Sequence, residues 1–245
     1  MTIPEVLKEL EHYTRRFPIQ AMRAAIEQRE AITPELLRVI EAVAENPAAF
    51  AKRQEYMLHL FALYLLAQFR EKRAYPAVVR IFSAPGETPY DLAGDTVTDG
   101  LPRVLGSVYD GDPSPLKTLV ENEDADEFVR SSAIEAVLVL ENTGQVTRDE
   151  VVAYFRSLFQ GKLERTNSFA WDGLVGAVAD LPAAELLEEV RMAYADRLAD
   201  PSVVDLETIE REMVSGKPAR RERHTLITDA IGEMERWSCF REEEP

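Results

Sequence analysis

Apolar residues recur along the chain at the spacing of α-helices, and the clearest instance lies between Leu116 and Leu140. Val129, Ala133, Ala136, Val137 and Leu140 fall at i, i+4, i+7, i+8 and i+11, which builds one stripe on an amphipathic helix. Leu116, Leu119 and Val120 mark a shorter helix ahead of it, and Asn122-Glu123-Asp124 between the two supplies side chains that cap a helix start. A helix pair this small cannot bury its apolar face alone; it needs a similar pair stacked on each side. No stretch of any length alternates with the period of a strand, so the pattern predicts an all-α chain.

The same unit is traced on both sides. Thr2 and Glu5 form the ends of a capping box, followed by Val6, Leu7, Leu10 and Tyr13. Phe17-Pro18 breaks the chain, a second helix follows to about Glu30, and Thr33-Pro34 is read as the start of a third carrying Leu36, Ile40 and Val43. Residues 48 to 73 are the most apolar helix, expected to sit deepest through Leu58, Ala62, Leu65, Leu66 and Phe69. A short helix follows over Pro76 to Phe82. A long one spans Tyr90 to Val108, with Pro102 at a kink or in a first turn. Thr147 and Glu150 form a second capping box, ahead of Val151, Phe155, Leu158 and Phe159. Phe169 to Leu181 is helical despite Gly173 and Gly176, whose cost in helix stability points to close backbone approach. Helices from Pro182 to Leu198 and around Leu206, Ile209 and Met213 complete about six helical hairpins.

Aligned on their apolar stripes, the second helices place Ala62, Leu101, Ala133 and Leu174 in equivalent positions, at intervals of 39, 32 and 41 residues. An apolar helix, an acidic turn, a Val-Arg pair, a small residue and a second apolar helix together resemble a HEAT repeat, whose period is about 40 to 47 residues. The fold expected over residues 1–215 is therefore a HEAT/armadillo-like α-α superhelix, or solenoid. Residues 216–245 differ. Lys217, Arg220, Arg221 and Arg223 form a basic run beside His224, and Leu226, Ile227, Ala230, Ile231, Met234 and Trp237 make one stripe. That stripe predicts a helix capping the open end of the array, with the basic run docked on the acidic body or on an anionic partner.

With 245 residues, 46% of them apolar, the chain can bury a sizeable core. Lys and Arg number 28 against 44 Asp and Glu, a net charge of −16 that repels phosphate backbones and argues against nucleic acid as a partner. An acidic surface also serves solubility. Cys239 is the single cysteine, too few for a disulfide or a cysteine-built zinc site within one chain. The first residues lack the basic and apolar segments of a signal peptide, and the longest apolar run, Leu60 to Ala67, is too short to span a bilayer. A cytoplasmic location, no membrane and no cofactor are the resulting expectations.

The segment GDTVTDGLPRVLGSVYDGDPSPLKTLVENEDADEFVRSSAIEAVLVL, Gly94 to Leu140, is similar to a bacterial family of HEAT-like proteins catalogued as domain of unknown function 1186. Trp171-Asp172 and the following LVGAVADL are also similar, and the likeness extends over residues 1 to about 215. The resemblance implies a fold and not a reaction. Some members of that family are expected to end in a cysteine-rich metal-binding motif of the SEC-C kind; with Cys239 alone, that function does not carry over.

In HEAT-like stacks the second helices line the concave side. The alignment puts His59, Thr98, Arg130 and Trp171 in one column there, and Leu60, Asp99, Ser131 and Asp172 in the next. Neighbouring helices pack about 8–10 Å apart, so Arg130 is expected either to bridge Asp99 and Asp172 as a structural ladder or to belong to a ligand or peptide site. Trp171 is a typical binding anchor or a core residue with a satisfied indole. Asp91, Asp95 and Asp99 at i, i+4 and i+8 share one helix face, a possible hard-cation site, with Arg103, Arg130 or solvent as the other neutralisers. His12, His59 and His224 show no ligand spacing, and no phosphate loop or nucleophile elbow is present. The function expected is a protein- or peptide-binding scaffold using a concave face that contains His59, Asp95, Asp99, Arg130, Trp171 and Asp172. The alternative is a metal-dependent enzyme or ligand site on Asp95, Asp99 and Asp172. A third is action of the basic tail on an anionic partner.

Overall fold

The computed structural model describes residues 1–53, 55–215 and 222–241, and is all-helical, with no strand among the described residues. Lys217, Arg220 and Arg221 of the basic run lie outside them. The N-terminal part holds α1 (Ile3–Glu11), α2 (Ile19–Glu27), α3 (Arg29–Glu45), α4 (Pro47–Ala51) and α5 (Leu58–Phe69). The capping box at Thr2 is present, with the Thr2 N–H donating to Glu5 at 2.7 Å. α3 begins at Arg29, ahead of the expected Thr33-Pro34 start. The Thr33 hydroxyl donates to the Arg29 carbonyl at 2.7 Å and leaves Pro34 inside the helix. The long helix expected over 48 to 73 is two: α4 stops at Ala51, and α5 buries every residue but Gln68.

The middle holds α6 (Tyr75–Phe82), α7 (Thr88–Ala93), α8 (Thr96–Asp99), α9 (Leu101–Val108), α10 (Ser114–Glu121) and α11 (Glu127–Asn142). The helix expected from Tyr90 to Val108 is therefore three pieces. Gly94, at φ +50°, ends α7 in a conformation that favours glycine, and Gly100 separates α8 from α9. Pro102 sits in the first turn of α9, where its missing N–H costs no helical bond. Asp126 caps α11 by accepting from the Phe128 and Val129 N–H groups at 2.9 and 3.1 Å.

The C-terminal part holds α12 (Arg148–Ser157), α13 (Phe169–Asp180), α14 (Leu187–Ala195), α15 (Leu206–Ser215) and α16 (Ala230–Met234). The second capping box is present at Thr147 and Glu150. Of the two glycines in α13, Gly173 bears out close approach. A Cβ there would stand 2.2 Å from Ser131 Oγ and 3.1 Å from Ser131 Cα, while one at Gly176 would meet nothing within 4 Å.

Contacts run in two files. α3 packs on α6 and α6 on α10; beside them α5 packs on α9, α9 on α11, α11 on α13 and α13 on α15. The pairs α3–α5, α6–α9, α10–α11 and α14–α15 join one file to the other. The core follows this seam, with Phe61, Leu65, Phe82, Leu101, Ala133, Leu174 and Trp171 all fully or almost fully buried. Helices of 8 to 17 residues have too little apolar surface to stand alone, so each is held by its neighbours.

Candidate functional site

The expected column divides into two places. The first is a cavity of about 490 Å³ bounded by the chain entering α5, by α7 and α8, and by the last described residues. His59, Asp95 and Asp99 line it, with Asp91, Tyr56, Trp237 and Arg241 among their neighbours. His59 is buried because α5 is apolar on every side; its ring stacks on Tyr56 with centroids 5.5 Å apart and planes at 2°. Nε2 of His59 lies 2.6 Å from the Leu92 carbonyl, while Nδ1 is buried with no hydrogen-bond partner. Burial lowers the His59 pKa, partly countered by the Leu92 carbonyl. Asp91, Asp95 and Asp99 are exposed, and the break at Gly94 removes the single helix face expected for them, though all three border the cavity. Tyr64, whose phenol burial raises to about 12, packs edge-on against Trp237 at 5.4 Å between centroids.

The second place is a buried polar knot that contains Arg130 and Trp171. Arg130 bridges neither Asp99 nor Asp172. Its guanidinium pairs with Glu164: Nη1 is 2.8 Å from Oε1, and Nη2 bonds Oε2. Nε of Arg130 donates to the Val120 carbonyl at 2.9 Å. Trp171 has no exposed surface, and its indole N–H donates to the Glu164 carbonyl at 2.8 Å, so it is the core residue of the two options. Burial pushes Glu164 up, but the hydrogen bonds and charge of Arg130, its own N–H and Ser168 outweigh this and hold it below its ordinary 4.5. Sequence spacing missed Glu164. It lies in the turn after α12, where no helical period registers a partner.

Asp172 belongs to neither place. Its Oδ1 accepts from the Asp200 N–H at 2.7 Å and ties α13 to the turn after α14; burial raises its pKa above the ordinary 3.8. Asp95, Asp99 and Asp172 thus do not assemble. Among the described residues no three His, Cys, Asp or Glu side chains are grouped to hold a metal ion.

A further arrangement was not foreseen. Residues 224–240 form the short α16 and a 3-10 turn at Ser238–Phe240; the stripe from Leu226 to Trp237 is not one helix. Instead of closing the α14–α15 end, the described part of this segment runs back along α11, α9 and α5. Asn142 Nδ2 donates to the His224 carbonyl at 2.7 Å, and Arg103 donates to the carbonyls of Thr225 and Leu226 at 3.0 and 3.2 Å. Arg70 Nη1 donates to the Ile227 carbonyl at 2.7 Å. The N–H groups of Ile227 and Ala230 are met by Ser107 Oγ at 2.9 Å and Gln68 Oε1 at 2.8 Å. Ile227, Ala230 and Met234 are fully buried, and Phe240 packs on Phe17, its ring 5.3 Å away.

Comparison with known proteins bears out the family resemblance read from the sequence. Two relatives, each described as an uncharacterized protein, come from Chlamydia trachomatis serovar D and Chlamydia muridarum. The first is 34% identical, over 97% of this chain and 96% of its own length. The second is 34% identical over 97% of each. No solved structure matches. No helix among the described residues is long and apolar enough to cross a membrane. The model of the family described as Protein of unknown function (DUF1186) matches residues 1–241, and the chain belongs to that family.

Proposed function

We propose that this family member is a peptide-binding scaffold. Its paired helices are a HEAT-like superhelix, and the file α5–α9–α11 is the receptor for an extended segment. The observation that carries this reading is the way residues 224–240 are held. Side chains of Gln68, Arg70, Arg103, Ser107 and Asn142 address main-chain groups of that segment, while Ile227, Ala230, Met234 and Phe240 insert as apolar anchors. Recognition through the main chain supplies affinity without demanding one sequence, and buried anchors supply selectivity. The chain's own terminus then serves as the resident ligand, to be replaced by a partner segment with similar anchors. Cytoplasmic action on a protein or peptide partner belongs to the same proposal.

Arg130, Trp171 and Asp172 support this scaffold from within, and the residues that hold the segment are Gln68, Arg70, Arg103, Ser107 and Asn142. The test uses a fluorescently labelled peptide of residues 222–241 and the full chain carrying Trp237→Ala and Phe240→Ala, which loosens the resident segment. The labelled peptide should bind this variant saturably and at least ten-fold tighter than the unaltered chain, whose receptor is filled. Adding Arg103→Ala should abolish the gain. Equal binding of a scrambled peptide would overturn the proposal.

A further inference from the structure

We propose that the partner segment presents a glutamate to Arg103 in a fixed register: an apolar residue, then a small one, then the glutamate, then a second apolar residue, placed as Ile227, Ala230, Glu233 and Met234 are in the resident segment. This rests on the peptide-receptor reading and adds the chemistry of the partner.

The receptor is basic where the segment crosses it. Burial lowers the Arg70 pKa, and the nearby charge of Arg103 lowers it further. Two like charges held together favour an anion on whatever lies across them. The resident segment brings that anion. Nη1 and Nη2 of Arg103 each lie 2.8 Å from an oxygen of Glu233, a bidentate pair with both side chains 24% exposed. Carboxylates of the receptor are nearby but engaged otherwise or not bonded to Arg103. Glu71, beside Arg70 in sequence, pairs with Arg73, and Asp99 and Glu135 border the opening next to Arg103. Among the described residues, the carboxylate that Arg103 bonds is that of Glu233.

The register follows from how the main chain is pinned. Arg103 also donates to the Thr225 and Leu226 carbonyls, so one side chain ties the extended stretch to the helical turn after it. Ser107 Oγ accepts from the Ile227 N–H, Arg70 donates to the Ile227 carbonyl, and Gln68 Oε1 accepts from the Ala230 N–H. With those groups fixed, a glutamate one place early or late in the turn would point about 100° away from the guanidinium. Asp229 starts that turn by accepting from the Gly232 N–H at 3.0 Å.

Size is fixed at the same time. Ile227, Ala230 and Met234 have no exposed surface, and α16 packs on α2 and α5, so a side chain larger than alanine at position 230 would overpack the contact. Arg70 holds a left-handed backbone at the end of α5, φ +57°, a conformation that non-glycine residues keep where the surroundings demand it. From there its guanidinium is shared between the Ala67 and Ile227 carbonyls, each at 2.7 Å.

The experiment is competition against the labelled 222–241 peptide on the full chain carrying Trp237→Ala and Phe240→Ala. The unlabelled competitors are the parent 222–241 peptide, its Glu233→Gln and Ala230→Leu variants, and Glu235→Gln, which removes the same charge from an exposed position. Glu233→Gln and Ala230→Leu should each compete at least about ten-fold more weakly than the parent, and Glu235→Gln should match it. All the changes are in the competitor, so a folding defect of the receptor cannot imitate the loss. If Glu233→Gln or Ala230→Leu competes like the parent, or Glu235→Gln competes as poorly as Glu233→Gln, the register is overturned while the receptor stands. If the parent peptide itself does not bind, the receptor reading falls and this inference falls with it.

Discussion

Arg130 and Glu164, 34 residues apart in sequence, meet as a buried fork-to-fork pair between α11 and the turn that precedes α13. The guanidinium side chain is 3% exposed and the carboxylate 11%, so neither charge can fall back on water if the other is removed. The Glu164 main chain meanwhile receives the Trp171 indole, which makes this one residue the joint of three elements.

Replacing Glu164 with Ala should therefore destabilise the protein by about 3–5 kcal/mol, because a buried guanidinium is left uncompensated. Glu164→Gln should cost less, since its carbonyl still accepts from Arg130. The pH dependence has a definite sign. A carboxyl held below 4.5 in the folded chain contributes stability that is present above the unfolded value and is lost as pH falls through the folded value. Urea titrations from pH 7 to pH 3 should show a steeper loss below about pH 4.5 in the unaltered chain than in Glu164→Gln.

Gly173→Ala sets two effects against each other. Alanine improves helix propensity by about 1 kcal/mol, but its Cβ would collide with Ser131 at 2.2 Å from Oγ. The nearby Ser131 Cα is backbone and yields little, so overpacking should win by about 1–3 kcal/mol. Adding Ser131→Gly removes the closest atoms and should recover part of the loss. A double-mutant cycle on thermal stability measures the coupling; additive effects would mean that α11 and α13 are not in close contact.

His59 carries a second pH signature. Its folded pKa lies below the ordinary 6.5 because the ring is buried. The unfolded chain then takes up the proton first, so stability is full above 6.5 and is lost as pH falls below it. The melting temperature should drop between pH 7.5 and pH 5, and His59→Gln should flatten that drop at some cost in stability. A flat profile in the unaltered chain would contradict the buried, neutral imidazole.

Arg103→Ala removes four bonds to the C-terminal segment at once, two to the Thr225 and Leu226 carbonyls and two to the half-buried Glu233. Burial already raises the Glu233 pKa against the pull of Arg103, so losing the partner leaves an unfavourable carboxylate. Local stability of the segment should fall by about 1.5–3 kcal/mol, read as at least ten-fold faster hydrogen exchange at the Ile227 and Ala230 amides. Amides of α14, which packs on α15, should keep their protection.

Much of the secondary structure was legible because helix starts and stripes are local facts. Thr2 with Glu5 and Thr147 with Glu150 cap as their spacing predicts, and α11 and α13 follow their stripes. Boundaries failed where a long apolar run hid a break. The gap between Ala51 and Leu58, and the glycines at 94 and 100, interrupt helices whose stripe continues across them. The candidate column was legible only in halves. His59 and Asp99 do share a wall, but Trp171 went to the core. A stripe assigns a residue to one face of its helix and not to the neighbour that face meets.

What the sequence determined by itself was an all-helical chain of short amphipathic elements that must stack, since 3.6-residue periodicity and capping chemistry are written in neighbouring residues. What only the tertiary structure decided was every partnership across distance: Arg130 with Glu164, Gly173 with Ser131, and the return of residues 224–240 along α11, α9 and α5. Such pairings depend on which surfaces are left uncovered once the helices have packed. That depends on the shape of the whole chain, and no local pattern carries it.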